Sequence, residues 1–367
     1  MTNQINKSDN EYAIINAFDL MEGMAVPCEL YYFHNGQYYL ALRNSSLTRL
    51  SILQLQKLIV AYKNIYVKMS DYDLFLDLVR AYKENESRQA FYRAYDVIRD
   101  EADIIINSAF ETKQIDISKC ENVSFNIKNT VVTFNASQII QAINNVDDQD
   151  KYLYNHSVHV AFLNGLMGKW LGLDDAEITK LVKIGFLHDL GKTKIPEQIL
   201  NKPAVLTPEE FEVIKTHPIY SFNMLVESGE KEIEILLAVR GHHEKTNGTG
   251  YPDGLTYDKI TLYARITTIS DIYDAMVSKR VYKNNHSPFE VLDEFSRGRF
   301  SNLDTHLINL FLQNMPNELL DRKGILSDGR LCTIKYINTN NYAYPMVSIG
   351  DDVIKTTPEL RCIAVCE

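Results

Sequence analysis

The chain contains 367 residues, of which 45% are hydrophobic and 23% charged, a balance that is ordinary for globular proteins and a length that suits two or three domains. Its formal net charge of −10 argues against a nucleic-acid polymer or an anionic membrane as a partner, because both attract basic surfaces. Its five cysteines are scattered and no apolar run reaches the roughly 20 residues of a membrane span, so we expect a cytoplasmic protein without signal peptide or anchor.

The N-terminal part of the sequence predicts a small regulatory domain. Residues 1–16 are expected to be a flexible N-terminus, and 17–145 a domain whose first part is strand-rich. The dipeptide Asn35-Gly36 separates two alternating aromatic segments, which predicts a β-hairpin. From Ser87 to Thr112, apolar residues recur at steps of three and four and predict one amphipathic helix.

Helices dominate the prediction for the middle of the chain. The stretch 114–145 shows no clear period, and its polar end marks the expected start of a helical domain at 146–316. Asp174 and Thr207 each precede a glutamate by three residues, which is the capping-box signature of a helix start. Residues 317–367 alternate around Asp328-Gly329 and predict a short β appendage. The predicted fold class is therefore mainly α, with a helical bundle between two strand-rich parts.

Histidines are concentrated in the predicted helical domain. Six of the nine lie between residues 155 and 245, where even spacing would place about two. These six are His156, His159, His188, His217, His242 and His243. Such clustering calls for a physical explanation.

The settings of these histidines predict a metal site in the bundle core. The pairs at 188–189 and 242–243 end apolar helix faces, and His217 is expected to end the helix that contains Val213 and Ile214. Asp271 lies on the apolar side of a further helix. Imidazoles and carboxylates from four helices, without thiolates, favour iron, manganese or zinc over calcium or magnesium.

A hydrogen-bonded core histidine is the simplest explanation for any single one of these residues. We prefer that explanation for His159, because a lone histidine on an apolar face is usually a hydrogen-bonded core residue. It is weaker for the whole group, because several buried imidazoles and carboxylates without a metal would leave many polar atoms unpaired.

Several short motifs follow one another in the helical domain. They are HSxxV from His156, HDLGK from His188, His217 before a proline, HHEKxNGTGYP from His242 and SDxxDAM from Ser270. In this order they resemble the HD-GYP subgroup of the HD phosphohydrolases over about 150–310. The HD pair alone is weak evidence, whereas its combination with the HH pair and the glycine-tyrosine-proline element is specific. The resemblance implies that 146–316 form an HD-GYP catalytic domain with a binuclear metal centre of iron or manganese.

The resemblance also implies roles for individual residues. Asp189 and Lys192 would be catalytic, with Lys192 at the scissile phosphate. The implied metal ligands are His156, His188, Asp189, His217, His242, His243 and Asp271. The implied substrate contacts are Gly250 and Tyr251 of the glycine-tyrosine-proline loop, Asp274, and Arg280 and Lys283 of the RVYK segment.

The function implied by the resemblance is metal-dependent hydrolysis of a cyclic dinucleotide, cyclic di-GMP, to the linear dinucleotide or GMP. Two metal ions suit this chemistry, because they provide a bridging hydroxide and neutralise phosphate charge. Two alternatives remain open: an HD hydrolase of another nucleotide, and a non-catalytic receptor or scaffold for a cyclic dinucleotide. A diguanylate cyclase at the glycine-tyrosine-proline loop and a second copy of the chain are candidate protein partners.

Three positions differ from the family pattern. His159 stands where the family usually carries arginine and Asn247 where it often has aspartate, and neither is a metal position. Some members hold a third metal through a glutamate one helical turn before the first histidine, where this chain has Tyr152. Because a neutral phenol is a poor ligand for a hard divalent cation, we predict two metals rather than three.

Overall fold

The computed structural model describes residues 11–43, 49–62, 64–145, 152–278 and 286–366. The chain divides into two compact units, residues 1–90 and 91–367. Among the described helices, none has both the length and the apolar composition that crossing a lipid bilayer would require.

The first unit is built on a four-stranded antiparallel sheet. Its strands are β1 (Tyr12–Ile15), β2 (Leu30–His34), β3 (Gln37–Leu42) and β4 (Ile65–Lys68), in the order β1-β4-β2-β3, and α1 (Ile52–Ala61) precedes β4. Asn35 and Gly36 have φ angles of 48° and 82°, as a type I′ turn requires, so the predicted hairpin is confirmed. The expected flexible N-terminus, residues 1–16, is described only in part, because residues 1–10 lie outside the described residues. The described part does not match this expectation, since β1 is a strand that pairs with β4.

One long helix, α2 (Tyr72–Thr112), contains the boundary between the units. The sequence pattern predicts a helix only from Ser87, because the preceding part has no single apolar stripe: Leu74 is exposed beside the buried Phe75. From Phe91 onwards, the predicted stripe, which includes Tyr95 and Ile98, is buried in the core of the second unit.

Two further helices, α3 (Ile117–Thr133) and α4 (Ala136–Asn145), occupy the stretch for which the sequence gives no clear period. The buried face of α3 mixes polar and apolar residues, among them Ser124 and Val123, and this mixture hides the helical period. Both helices belong to the second unit, which begins at Phe91, so the division differs from the expected boundary between 145 and 146.

The remaining helices form the bundle that carries the predicted site, and the predicted capping boxes at Asp174 and Thr207 are confirmed. Gly185 lets two of them cross closely, because a Cβ there would lie 2.6 Å from the Cα atom of Ala161. The helices are α5 (Tyr152–Leu171), α6 (Asp175–Leu187), α7 (Glu197–Leu200), α8 (Pro208–Ile214), α9 (His217–Glu227), α10 (Ile233–Gly241), α11 (Leu262–Val277), α12 (Pro288–Ser296) and α13 (Thr305–Leu319).

The C-terminal strands form a five-stranded antiparallel sheet in the order β8-β7-β6-β5-β9. They are β5 (Lys323–Leu326), β6 (Leu331–Asn338), β7 (Asn341–Ile349), β8 (Asp352–Lys355) and β9 (Cys362–Cys366). Gly329 has a φ of 88° in the turn between β5 and β6, so the second predicted hairpin is also confirmed. Ile334 and Val347 join the hydrophobic core of the helices, and the sheet is therefore part of the second unit.

Candidate metal centre

Three histidines at helix ends are anchored in the same way. His188 follows α6, His217 begins α9 and His242 follows α10; we call them the helix-end histidines. In each ring, Nδ1 lies 2.7 Å from the carbonyl oxygen three residues earlier in the chain, that of Gly185, Ile214 or Val239. Because a carbonyl oxygen can only accept, Nδ1 carries the proton and Nε2 presents its lone pair, which is the form that binds a metal.

His217 occupies a different place from the one expected. The preceding helix, α8, ends at Ile214, and His217 is the first residue of α9 rather than the last of α8. Pro218 explains this start, because proline lacks the N–H that a first helical turn leaves unpaired. The ring still reaches back to Ile214, so the side chain lies at the junction of the two helices.

His156 lies within α5, and a side chain anchors its ring. Nδ1 is 2.7 Å from Oδ2 of Asp274, while Nε2 is 3.1 Å from Asp271 and 3.3 Å from Asp189. A carboxylate behind a ligating histidine fixes its tautomer and orientation. Asp274 is fully buried and also bonded to His159, so it holds histidine rings and does not face a substrate cleft as the sequence suggested.

Asp189 is shared by two clusters of potential ligand atoms. It forms one with His217, His242 and His243, and the other with His156 and His188; within each cluster, the atoms lie within 4.8 Å of one another. Asp271 adjoins the second cluster through its contact with His156. A carboxylate can bind through each of its two oxygens, so both clusters can share it.

Several polar atoms at this point are left without the partners that burial demands. Within the described residues, Nε2 of His188 and Oδ1 of Asp189 are buried without a hydrogen bond. The Nε2 atoms of His217 and His242 face each other at 3.3 Å, although both are acceptors in the tautomer given above. Unpaired buried polar groups cost about 1–3 kcal/mol each, and a cation in each of the two clusters would satisfy the four atoms. The residues present therefore fit a divalent metal of the iron, manganese or zinc type.

The charge state of the centre also suits a cation. Burial lowers the pKa of His242 well below its usual value and that of His243 to about 3, so both rings are neutral at physiological pH. Burial alone would raise the pKa of Asp189 and Asp271. The ammonium of Lys192 and nearby imidazoles outweigh this at Asp189, and imidazoles outweigh it at Asp271, so both pKa values lie well below the usual range. Neutral imidazoles and ionised carboxylates are the forms that bind metals.

A serine that sequence reasoning missed fixes the turn after His188. The hydroxyl of Ser221 donates to the carbonyl of His188 at 2.8 Å and accepts from the N–H of Gly191 at 2.7 Å. A Cβ on Gly191 would lie 2.0 Å from the carbonyl oxygen of His217, so the turn packs against α9 only with glycine. Lys192, in the same turn, has its Nζ 2.5 Å from Asp189 and a side chain 20% exposed. A single serine within a helix gives no signal in the sequence.

The glycine-tyrosine-proline loop lies beside the first cluster. The ring of Tyr251 is 4.7 Å from that of His243, and its N–H is 3.3 Å from the His243 carbonyl oxygen. Gly250 has a packing reason to be glycine, because a Cβ there would lie 2.4 Å from the backbone nitrogen of Lys245. Of the two loop residues expected at the substrate, Tyr251 offers a ring next to the centre.

Glu244, which sequence reasoning also missed, holds this loop in place. Its Oε1 accepts from the N–H groups of Asp253 and Gly254 at 2.7 and 3.1 Å, and its Oε2 accepts from that of Leu255 at 2.8 Å. Its side chain is buried. Arg240 adds a bidentate pair to Asp253, with both N–O distances 2.7 Å. The position of Glu244 directly after the HH pair is the one signal that could have drawn attention to it.

The expected phosphate contacts Arg280 and Lys283 lie outside the described residues. The side chain of Tyr152 does so as well, and the number of metals stays a prediction. Within the described part of the chain, cations near the centre include Lys192 and Lys215, whose Nζ is 5.9 Å from the ring centre of Tyr251.

Known proteins resemble the region that carries this centre. Residues 141–307 match the family model of the HD domain. A cyclic di-GMP phosphodiesterase of Pseudomonas aeruginosa is 38% identical over 143 residues, which make up 39% of this chain and 34% of that protein. The 3′3′-cGAMP-specific phosphodiesterase 3 of Vibrio cholerae is 36% identical over 139 residues, or 38% of this chain and 30% of that protein. The chain thus spans about a third of the length of these relatives.

A solved structure shows a similar fold. An HDG"Y"P protein from Bdellovibrio bacteriovorus superposes with a TM-score of 0.51 and 18% sequence identity, covering 83% of this chain and 99% of that one. At this identity, the similarity concerns the fold alone. The segment matched by the HD family model contains every potential metal ligand from His156 to Asp271.

Proposed function

We propose that the chain, whose residues 141–307 match the HD domain, is a metal-dependent phosphodiesterase of the HD-GYP family that acts on a cyclic dinucleotide. The observation that carries the proposal is the buried carboxylate of Asp189, which is common to two ligand clusters. Cyclic di-GMP is the proposed substrate, with the linear dinucleotide or GMP as product. The relative that acts on 3′3′-cGAMP makes that molecule the main competitor.

Two divalent ions, iron or manganese, suit the two clusters. One would be held by His217, His242 and His243, the other by His156, His188 and Asp271, with Asp189 between them. Such ions, when bound, lower the pKa of a water molecule and neutralise charge on the phosphate. The anchored Nδ1 atoms direct Nε2 of each helix-end histidine towards the centre, so the ligands are oriented before any ion arrives.

Lys192 is the proposed contact to the scissile phosphate. Its ammonium lies beside Asp189, and its partly exposed side chain puts the charge at the edge of the centre. A charge-assisted hydrogen bond from this position stabilises the negative charge that develops on the phosphate oxygens. The ring of Tyr251, next to His243, offers an apolar face for a base or ribose of the substrate.

Hydrolysis by protein loaded with manganese or iron tests the proposal, with Asp189→Asn as the decisive variant. This change keeps the shape of the side chain but removes its charge, so activity should fall more than about a hundredfold and bound metal should decrease. Asp175→Asn is the matched control, because Asp175 begins α6 with a side chain that is 74% exposed. Full activity of Asp189→Asn would refute the proposed function.

Substrate comparison separates the alternatives. Cyclic di-GMP, 3′3′-cGAMP and a panel of linear nucleotides should be offered to the same metal-loaded preparation. Binding of cyclic di-GMP without product would establish a receptor, and turnover of a linear nucleotide alone would establish another HD hydrolase. With the substrate known, Lys192→Met should lower kcat about 100–1000-fold with unchanged metal content, as expected for the loss of a group that stabilises developing charge.

A further inference from the structure

A line of buried hydrogen bonds connects α2 to His156. The hydroxyl of Tyr95 is 2.8 Å from Nε2 of His159, and Nδ1 of His159 is 2.8 Å from Oδ1 of Asp274. Oδ2 of Asp274 is 2.7 Å from Nδ1 of His156. The four residues are at most 3% exposed.

The direction of each hydrogen bond follows from the chemistry of the groups. Asp274 presents one carboxylate oxygen to Nδ1 of each histidine, at 2.7 Å for His156 and 2.8 Å for His159. A carboxylate only accepts, so both histidines donate from Nδ1. In the tautomer of His159 that carries its proton on Nδ1, Nε2 is an acceptor and the hydroxyl of Tyr95 donates to it. Each group therefore has one role, and His159 cannot turn without breaking two bonds.

We propose that Tyr95 and His159 are positioning residues that act through Asp274 to fix the ring of His156 and so set the metal affinity of its cluster. This inference rests on the proposed metal centre. The terminal torsion of an aspartate is broad, so rotamer preference alone does not fix the plane of the Asp274 carboxylate. The plane is fixed by bonds at Oδ1, where His159 donates together with the hydroxyl of Ser278 at 3.0 Å.

A histidine that only packs in the core would not affect metal affinity. His159 is buried and satisfied, as the simplest interpretation of its sequence setting requires. Its bonds, however, end on the carboxylate that orients a potential metal ligand, and outer partners of this kind typically change metal affinity by about 10–100-fold. Metal affinity, measured without substrate, therefore distinguishes positioning from packing.

Titration of the metal-free protein with Mn²⁺ is the test. His159→Leu removes both bonds and should weaken binding about 10–100-fold. His159→Asn should recover part of the loss, because the amide nitrogen takes the place of Nδ1 towards Asp274. Tyr95→Phe deletes only the hydroxyl and should weaken binding by a few-fold. In a His159→Leu background, Tyr95→Phe should have no further effect, because both residues act along the same line. The absorption spectrum of the Co²⁺-loaded His159→Leu variant should differ from that of the Co²⁺-loaded unaltered protein.

Tyr92→Phe is the matched control, since Tyr92 lies one turn before Tyr95 on α2 and packs against the same core. It should bind Mn²⁺ as the unaltered protein does. A folded His159→Leu variant with unchanged affinity, or additive effects of the two substitutions, would overturn the inference. If His159→Leu does not fold, unchanged affinity in both Tyr95→Phe and His159→Asn would overturn it. Failure of the unaltered protein to bind Mn²⁺, Fe²⁺ or Co²⁺ would instead refute the proposed metal centre.

Discussion

The metal centre anchors its histidines in two ways. The helix-end histidines donate Nδ1–H to a backbone carbonyl three residues earlier, whereas His156 donates to the side chain of Asp274, 118 residues away in the sequence. A backbone anchor is present whatever side chain occupies the position that supplies it. A side-chain anchor requires a particular residue at a particular place, and Asp274 in turn depends on His159.

This difference separates a fixed part of the site from an adjustable one. No single side-chain substitution removes the anchor of a helix-end histidine, because its partner is a carbonyl group. The anchor of His156 can be changed in steps, at Asp274, His159 or Tyr95, without touching a ligand. We therefore expect the two halves of the centre to respond to different kinds of substitution.

The helix-end histidines should bind metal less well when the backbone that anchors them is displaced. Gly191→Ala is the most direct way to displace it. The added Cβ would lie 2.0 Å from the carbonyl oxygen of His217 and 2.4 Å from the nitrogen of Ser221, so α9 must move. We expect a loss of about 3 kcal/mol or more in the free energy of unfolding, measured with urea on the metal-free protein, and weaker Mn²⁺ binding.

Gly241→Ala is the control for this substitution. Gly241 ends α10 directly before His242, and the atom nearest to an added Cβ would be 3.6 Å away, an ordinary contact. The helix should gain about 0.5–1 kcal/mol from the alanine. Equal destabilisation by both substitutions would contradict the argument that close packing of the turn holds His217.

His156 should lose its anchor, and its cluster should lose metal affinity, when Asp274 is replaced. Asp274→Ala leaves the Nδ1–H groups of His156 and His159 buried without an acceptor, at a cost of about 1–3 kcal/mol. Mn²⁺ affinity should fall about 10–100-fold, and Asp274→Asn should have a smaller effect because one oxygen remains. Isothermal titration with Mn²⁺ measures the change, and an affinity equal to that of the unaltered protein would show that His156 needs no anchor.

The same contrast explains how much of the site the sequence can predict. Potential ligands such as His188 and His242 are recognisable because they continue the apolar stripe of their own helix, and their anchors need no further residue. Tyr95 meets His159 across 64 residues, and no local period connects two such positions. A core position for His159 is a correct prediction from the sequence, but burial does not reveal what the ring is bonded to.

The fold divides along similar lines. Capping boxes and glycine turns are local, so helix starts at Asp174 and Thr207 and both hairpins can be predicted from a few neighbouring residues. The helix α3 cannot be predicted from its neighbouring residues, because its buried face includes Ser124. The hydroxyl of Ser124 bonds to the carbonyl of Cys120 within the helix. Its place in the second unit depends on packing against residues distant in the sequence.

Acid should destabilise the metal-free protein by protonating two imidazoles of the centre, the buried His242 and the partly buried His243. The pKa of His243 is about 3 in the folded state, chiefly through burial, against about 6.5 in an unfolded chain. Its stabilising contribution is thus complete above pH about 6.5 and is lost as the pH falls towards 3, because only the unfolded state takes up the proton. His242, with its backbone anchor, acts in the same direction. Each ring contributes a slope of up to about 1.4 kcal/mol per pH unit.

Urea unfolding of the metal-free protein between pH about 5 and 6.5 measures this slope. His243→Gln should flatten it, because glutamine does not titrate and is close to histidine in size. The backbone anchor of His242 should leave its share of the slope intact in that variant. A slope unaffected by His243→Gln would mean that His243 is not neutral in the folded protein.

Glu244 reverses the arrangement of the helix-end histidines, since here a side chain anchors the backbone. Its carboxylate accepts from the N–H groups of Asp253, Gly254 and Leu255 and so holds the loop that carries Tyr251. Glu244→Gln keeps the size of the side chain but turns an amide N–H₂ towards at least one of these donors. We expect KM for the proposed cyclic dinucleotide substrate to rise about three- to tenfold, which corresponds to about 0.6–1.4 kcal/mol, the net scale of one hydrogen bond. Mn²⁺ affinity should not change, because Glu244 belongs to neither ligand cluster.

Glu177→Gln in the capping box of α6 is the control for Glu244→Gln, since glutamine serves equally at that position. A change in metal affinity without a change in KM would place Glu244 with the anchors of the metal centre rather than with the loop.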